Sequence, residues 1–274
     1  MKKIISLVLA TALLALSLFA FAGCGKDDNV LVCGVTDIPG LNEQDENGNW
    51  IGFESEFAME VAKLLGMEVE FQIISWGEKY VELNSGKIDC IWNGFTANAK
   101  EKDGTDRKDL VDFSSTYMLN QQCVVVKKSE LDSYKTKADL KGKTAAIETG
   151  SAGETFAKEV VGDEGELVGF TAQNSTFMEV KTGKSDFAVV DILLAKNICG
   201  KGDFTDLAIV EAEELTLETE YYAVGFKKGS DLTAKVNEAI KTLNENGKLL
   251  EIAKKYGFEN CLQVAKPYFK AVFL

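Results

Sequence analysis

Along this chain apolar residues follow two alternating patterns: short unbroken runs, and longer stretches in which they recur every third or fourth position. The first reads as buried strand, the second as amphipathic helix. Residues 29–35 form a first strand, Asp45-Glu46-Asn47-Gly48-Asn49 a turn, and residues 54–65 a helix. Phe57, Ala58, Val61, Leu64 and Leu65 share one face of that helix. Gly66 stands just past its end, where a left-handed cap favours glycine. A strand over 68–74, a helix over 77–84 and a strand over 88–93 follow.

Much the same order returns further on. A strand over 144–148 leads into a Gly-rich turn and a helix carrying Phe156-Ala157-Lys158-Glu159-Val160, which parallels Phe57-Ala58-Met59-Glu60-Val61. Gly183-Lys184-Ser185-Asp186 before an apolar run ending at Asp191 echoes Gly86-Lys87-Ile88-Asp89 before the run ending at Asn93. The echoes keep their spacing, 29 positions from 57 to 86 and 27 from 156 to 183, which predicts two similar lobes. A strand over 222–226 and helices over 232–243 and 248–256 return most simply to the first lobe. The expected organisation is lobe 1 over 29–118 plus 222–274 and lobe 2 over 119–221, with crossings near 118–122 and 220–224. Each lobe is an open, mostly parallel sheet flanked by helices, a two-lobed α/β fold. Ligands in such sheets bind outside the carboxyl ends of the strands. The residues aimed there are Asn93-Gly94-Phe95-Thr96 from one lobe and Gly150-Ser151-Ala152 with Asp191 from the other.

The first residues have a different character. Lys2 and Lys3, an apolar run over 4–21, and small residues before Cys24 follow the order of a secretory signal and its cleavage site. Ala22-Gly23-Cys24 resembles a bacterial lipoprotein signal, although Phe21 stands where such signals usually carry Leu. The resemblance implies removal of 1–23, lipidation of Cys24 and a linker over 24–28; a retained anchor and an ordinary secretory signal are the alternatives. Past residue 26 no stretch is apolar for the roughly 18 residues of a membrane span. The mature chain is therefore expected outside the cytoplasm, held to the outer face of a bacterial membrane by acyl chains worth about 0.8 kcal/mol per methylene. Losing Lys2 and Lys3 takes the formal charge from −13 to −15, and such an acidic body is repelled by nucleic acid.

Several chemistries are excluded. The chain has no histidine, so no Ser-His-Asp or Cys-His pair and no His-based metal site. No CxxC occurs, and Gly142-Lys143-Thr144 lacks the first glycine of a phosphate loop because Lys137 stands there. No cofactor or metal is expected. Cys33, Cys90, Cys123, Cys199 and Cys261 lie far apart and read as buried structural thiols, with a Cys33–Cys90 pair left open.

A set of strings, in order, resembles the extracytoplasmic solute-binding proteins of polar amino-acid ABC transporters, which have the type II periplasmic-binding fold. These are Asp45-Glu46-Asn47-Gly48 with Gly52-Phe53-Glu54, Ser85-Gly86-Lys87-Ile88-Asp89, and Asn93-Gly94-Phe95-Thr96. Further along come Arg107 with Val111-Asp112-Phe113-Ser114, Asp139-Leu140-Lys141-Gly142-Lys143, Thr149-Gly150-Ser151, and Gly225-Phe226-Lys227-Lys228-Gly229-Ser230. The resemblance implies a monomer that captures a free amino acid and hands it to an ABC permease. Arg107 is then the planar fork for the ligand carboxylate, joined by the helix start at Ser151 and Ala152. Asp191, the Gly94 carbonyl and Thr96 receive the ammonium, and Trp76 walls the ligand side chain. Plainer readings stand beside these: Arg107 solvated in a charged run, Asp191 capping the next helix, Trp76 in the core, Phe95 as packing.

Two departures bear on the ligand. The loop from Thr96 to Arg107 is longer than the family's, which brings Lys100 or Lys102 toward the cleft. The family's Pro-Pro-aromatic segment is degraded to Pro39-Gly40-Leu41-Asn42-Glu43, leaving Asp37, Asn42 and Glu43 to set selectivity, with a lean to polar or cationic amino acids. The rival functions are an exported dehydratase on the same fold, with Glu148 or Glu43 as its acid, and a ligand-sensing module. The tail beyond Asn260 reads as a loosely packed end.

Overall fold

The computed structural model describes residues 29–264; the signal segment, Cys24 and residues 265–274 lie outside the described residues. Strand β1 (Val30–Val35) precedes a hairpin of β2 (Glu43–Gln44) and β3 (Trp50–Ile51). The hairpin turn is closed by Asp45, whose Oδ1 accepts the N–H groups of Asn47 (2.9 Å) and Asn49 (2.8 Å). Helix α1 (Phe53–Leu65) starts on Gly52, where a Cβ would lie 2.3 Å from the Leu41 carbonyl oxygen, so only glycine fits. It buries Phe53, Phe57, Ala58, Val61 and Ala62 and ends at the left-handed Gly66. Leu64, expected on that face, points outward and is 48% exposed.

The first sheet is ordered β4 (Glu68–Ile73), β1, β5 (Cys90–Ile91), β13 (Gly225–Phe226), β6 (Asp112–Phe113). The second is ordered β11 (Leu207–Ile209), β7 (Met118–Lys127), β10 (Phe187–Asp191), β8 (Thr144–Glu148), β9 (Glu166–Phe170). Pairing is parallel at β1/β5, β10/β8 and β8/β9, where helices carry the chain between strands. It is antiparallel at β13/β5, β13/β6 and along β7, the strands next to the sheet-to-sheet crossings.

The expected continuous strand over 222–226 is two strands. β12 (Thr219–Tyr222) pairs with β7, while β13 pairs with β5 and β6 in the other sheet. Between them Ala223 N–H reaches the Phe95 carbonyl at 3.0 Å and Val224 N–H the Ser114 hydroxyl at 2.9 Å. The strand expected over 88–93 pairs as a strand only at Cys90–Ile91. Side chains replace the ladder at both ends: Asp89 Oδ2 accepts Val32 N–H and Asn93 Oδ1 accepts Thr36 N–H, each at 2.8 Å.

The core follows from strands covered on both faces. Cys123 and Val125 of β7 face a cluster with Phe57, Trp92 and Tyr117; Val124 and Val126 face another with Leu140, Ala157 and Phe187. Alternation along the strand sends successive side chains to opposite faces, and both are dry, so the run reads as unbroken apolar sequence. Cys33 and Cys90 are register partners with sulfurs 3.6 Å apart, too far for a disulfide. Cys199 and Cys261 depart from the expected burial: both are half-buried, Cys199 at a helix end. Residues 261–264 are not a loose end either. Leu119 N–H donates to the Cys261 carbonyl (2.7 Å), Gln263 N–H to that of Tyr117 (2.9 Å), and Leu262 and Val264 pack on the core. Among the described residues no helix is long and apolar enough to cross a membrane.

Candidate functional site

Between the carboxyl ends of the two sheets lies a narrow, partly open space with a cavity volume of about 10 Å³. Trp76, Asn93, Gly94, Thr96, Arg107, Ser151, Ala152 and Asp191 all line it, joined by Gln122, Glu148 and Gln173. The first eight are the ligand contacts expected from the sequence, seven of them by the resemblance and Asn93 by its place after a strand; the last three are not among them.

Three of the eight follow β5. Asn93 is locked by Thr36, accepting its N–H and donating Nδ2–H to its hydroxyl at 2.7 Å. Gly94 donates its N–H to Glu54 Oε2 at 2.7 Å, with φ at 59° and the Tyr222 ring 3.1 Å from where a Cβ would sit. Thr96 Oγ1 donates to Glu220 Oε2 at 3.2 Å. Trp76 is at once core and wall: it is 3% exposed, edge-on to Phe95 at 5.4 Å, and lines the space. Phe95 is packing, set against Phe113 and under the Arg107 guanidinium.

Arg107 is 1% exposed, so the solvated reading is excluded. Its Nε donates to Glu101 Oε1 (2.9 Å), Nη1 to the Thr96 carbonyl and Nη2 to the Gly150 carbonyl, both at 3.3 Å. Three of its five N–H donors are thereby engaged. Lys79, also buried, donates to the same Gly150 carbonyl at 3.0 Å and stands 3.7 Å from Glu101. Burial, with the Arg107 charge, pushes Lys79 down to about 8. Burial also pushes Glu101 upward, but Arg107, Lys79 and the Tyr80 hydroxyl together outweigh it and hold Glu101 below the ordinary carboxylate range.

The long loop thus turns the other way from the expectation. Lys100 and Lys102 are exposed, Lys100 beside Asp106, while the loop's Glu101 reaches inward to Arg107. An isolated cation gains nothing by leaving water, whereas a carboxylate between two buried cations does. The predicted selectivity residues also lie off the space. Asn42 is fully buried, its amide spent on Glu54, the Trp92 carbonyl, Asn93 and Ser55. Glu43 accepts the Gly40 N–H, and exposed Asp37 is bonded by Asn174 at 2.9 Å.

The second sheet contributes acids and a helix start. Ser151 caps α4 (Ala152–Val161), its hydroxyl accepting Glu154 N–H at 3.1 Å, while Glu154 returns a bond to Gly150 N–H at 2.6 Å. Its side chain is committed to the cap, so the helix offers the N–H groups of its first turn. Asp191 precedes α6 (Ile192–Ile198) but makes no side-chain cap bond. Instead both its oxygens accept amides, from Asn120 (2.8 Å), Gln122 and Gln173 (2.8 Å). Glu220 shares Asn120 and Gln122 with it at 2.7 and 3.0 Å. Burial raises Asp191; burial and then the Asp191 charge push Glu220 up to about 7 and Glu148 to about 8. Gln173 was legible in the repeat, since it opens the second half's short turn as Trp76 opens the first. Lys79, Glu101 and Gln122 had no comparable signal. Among the described residues no acid–thiol cluster could hold a metal ion.

Comparison with known proteins bears on the same region. The bacterial extracellular solute-binding proteins, family 3, match over residues 30–260. The arginine-binding extracellular protein ArtP of Bacillus subtilis is 30% identical, over 93% of this chain and 98% of that protein. An ancestral arginine-binding protein bound to arginine superposes with a TM-score of 0.75 at 32% identity, covering 83% of this chain and 98% of that one. A substrate-binding protein of an ABC uptake transporter from Streptococcus pneumoniae with bound histidine gives 0.75 at 30% identity, over 86% and 95%. With two sheets closing on one small polar space and a match from β1 past α8 (Lys248–Tyr256), the chain belongs to family 3 of the bacterial extracellular solute-binding proteins.

Proposed function

We propose that this protein captures one free amino acid, polar or cationic, between lobe 1 (29–118 with 222–274) and lobe 2 (119–221) and delivers it to an ABC permease. The observation that carries the reading is a small space lined by buried Arg107 and buried Asp191, one permanent cation and one hydrogen-bonded acid. A zwitterion needs both. The ligand carboxylate takes the two N–H donors Arg107 has left, with the free N–H groups at the start of α4. The ammonium meets Asp191, which Asn120, Gln122 and Gln173 hold in place. Because both lobes contribute, a bound ligand favours the closed state by its differential affinity. An affinity near micromolar, about −8 kcal/mol, suits a small charge-paired ligand.

The reading places the protein outside the cytoplasm, tethered as a monomer through lipidated Cys24, so that it stays concentrated at its permease. No ligand bond is broken: the amino acid is recovered unchanged after incubation. Turnover of a carboxylic acid instead would replace this reading with the enzymatic one, in which Glu148 is the acid. The direct test is a thermal-shift screen of the twenty amino acids, in which a ligand of the folded state raises Tm. At least one gives a clear rise, and Arg107→Ala, folded by circular dichroism, loses it. No rise with any amino acid overturns the reading.

A further inference from the structure

The buried carboxylates in the cavity, and Glu54 behind it, are not equally satisfied. Asp191 and Glu54 have both oxygens engaged, Asp191 by three amides and Glu54 by Tyr117, Gly94 and Asn42. Glu148, the last residue of β8, is 1% exposed and lines the same space, and its Oε1 has no hydrogen-bond partner. A buried acceptor left unpaired costs about 1–3 kcal/mol, so such an atom in a binding cavity marks a place a ligand donor fills.

Resting on the amino-acid reading above, we infer that Glu148 is the residue that selects the ligand side chain, receiving the N–H donors of a cationic group such as a guanidinium or ammonium. The ligand's two backbone charges are already provided for by Arg107 and Asp191. What remain for the side chain are this acceptor and the unpartnered Gln122 amide oxygen, both in the cavity that Trp76 walls, and of the two only Glu148 can carry charge. A neutral amide also supplies N–H groups, but only a cation gains from the carboxylate's charge in a site withdrawn from water. A carboxylate side chain offers no donor and meets a like charge.

The charge state of Glu148 provides a readout independent of affinity. Burial and the Asp191 charge push Glu148 up to about 8, against the opposing pull of Lys79, Gln173 and Arg107. In the ligand-free site near pH 7 burial thus favours its protonated form. An incoming cation favours the ionised form, so binding a cationic ligand releases a proton and binding its neutral isostere does not.

The test is calorimetric titration of the full protein with arginine, lysine and citrulline, in two buffers of different ionisation enthalpy. The wild type binds arginine or lysine at least about 10-fold more tightly than citrulline, with proton release for the cation alone. Glu148→Gln loses about 10-fold or more for the cation, holds citrulline within about 3-fold and releases no proton. Glu148→Asp, which keeps the charge, retains the preference for the cation over citrulline. Equal weakening of cation and citrulline in Glu148→Gln, or an unchanged preference with an unchanged apo Tm, overturns the assignment. A wild type that binds amino acids but prefers citrulline overturns it too. If the wild type binds none of the three and no other amino acid either, the amino-acid reading itself has fallen.

Discussion

In the first half of the molecule Asp89 donates its N–H to the Val32 carbonyl and accepts Val32 N–H on its carboxylate, both at 2.8 Å. In the second half Asp186 makes the same pair of bonds to Thr144, at 2.9 and 2.8 Å. Each aspartate follows a glycine in the left-handed conformation, Gly86 or Gly183, which ends a helix preceded by a short 3₁₀ turn. The residue opening that turn is where the halves part. Trp76 presents an apolar wall, whereas Gln173 presents an amide whose two ends hold Asp191 through its N–H and its carboxylate. Joining strand to strand is the same task twice and keeps its residues. Facing the cavity is not: one half brings Arg107, the other Glu148 and Asp191.

The largest effects come from breaking the division of charge. Arg107→Lys, which keeps the charge but loses the fork, and Asp191→Asn are each expected to weaken amino-acid binding by about 100-fold. Calorimetric titration measures both, and a loss confined to one half would end the division.

Next comes the pH response of the ligand-free protein. Burial pushes Glu54 from 4.5 to about 7 and Glu148 to about 8. The folded state keeps protons that the unfolded chain releases above 4.5, so this stability is full below 4.5 and is lost as pH rises toward 7 and 8. Glu54 alone accounts for up to about 3 kcal/mol. Carboxylates held low, such as Glu101, act below 4.5 and leave that window untouched. Tm of the apo protein is expected to fall from pH 5 to pH 8 in scanning calorimetry, and Glu54→Gln to flatten the part of the fall below about pH 7.

The matched positions sharpen the comparison from the other side. Asp89→Ala and Asp186→Ala each strand a partly buried strand N–H, and each is expected to cost about 1 kcal/mol in urea unfolding. Gly86→Ala and Gly183→Ala are of the same size, about 1 kcal/mol, the cost of a Cβ in the left-handed region. At Gly86 that Cβ meets open space; at Gly183 it meets the movable end of Lys127. Costs differing severalfold between halves at either pair would show that the scaffold is not repeated.

Helices and their ends were legible before the structure because their signals are local. α1, α7 (Leu232–Glu245) and α8 match their apolar spacing within a residue or two, and Gly66 caps where expected. The strand over 222–226 was not legible as two, because the change of sheet at Ala223 depends on Phe95 and Ser114, far away in sequence. At the site, all eight expected ligand contacts meet around one space. Asp37, Asn42 and Glu43 do not, since Asn42 is consumed by a network reaching from Ser55 to Asn93.

From its residues alone this chain leads to the expectation of an export signal, an acidic body and a repeated α/β plan, while the family resemblance adds the expectation that Arg107 and Asp191 hold a zwitterion. The charge and the plan depend on composition and periodicity, which physics reads locally. Which donors and acceptors stay free was decided only by the tertiary structure. Arg107 keeps two donors because Glu101, Thr96 and Gly150 take the others, and Glu148 keeps one acceptor because no neighbour reaches it. Hydrogen-bond capacity is spent between residues distant in sequence, so what remains for a ligand exists only once the chain has folded.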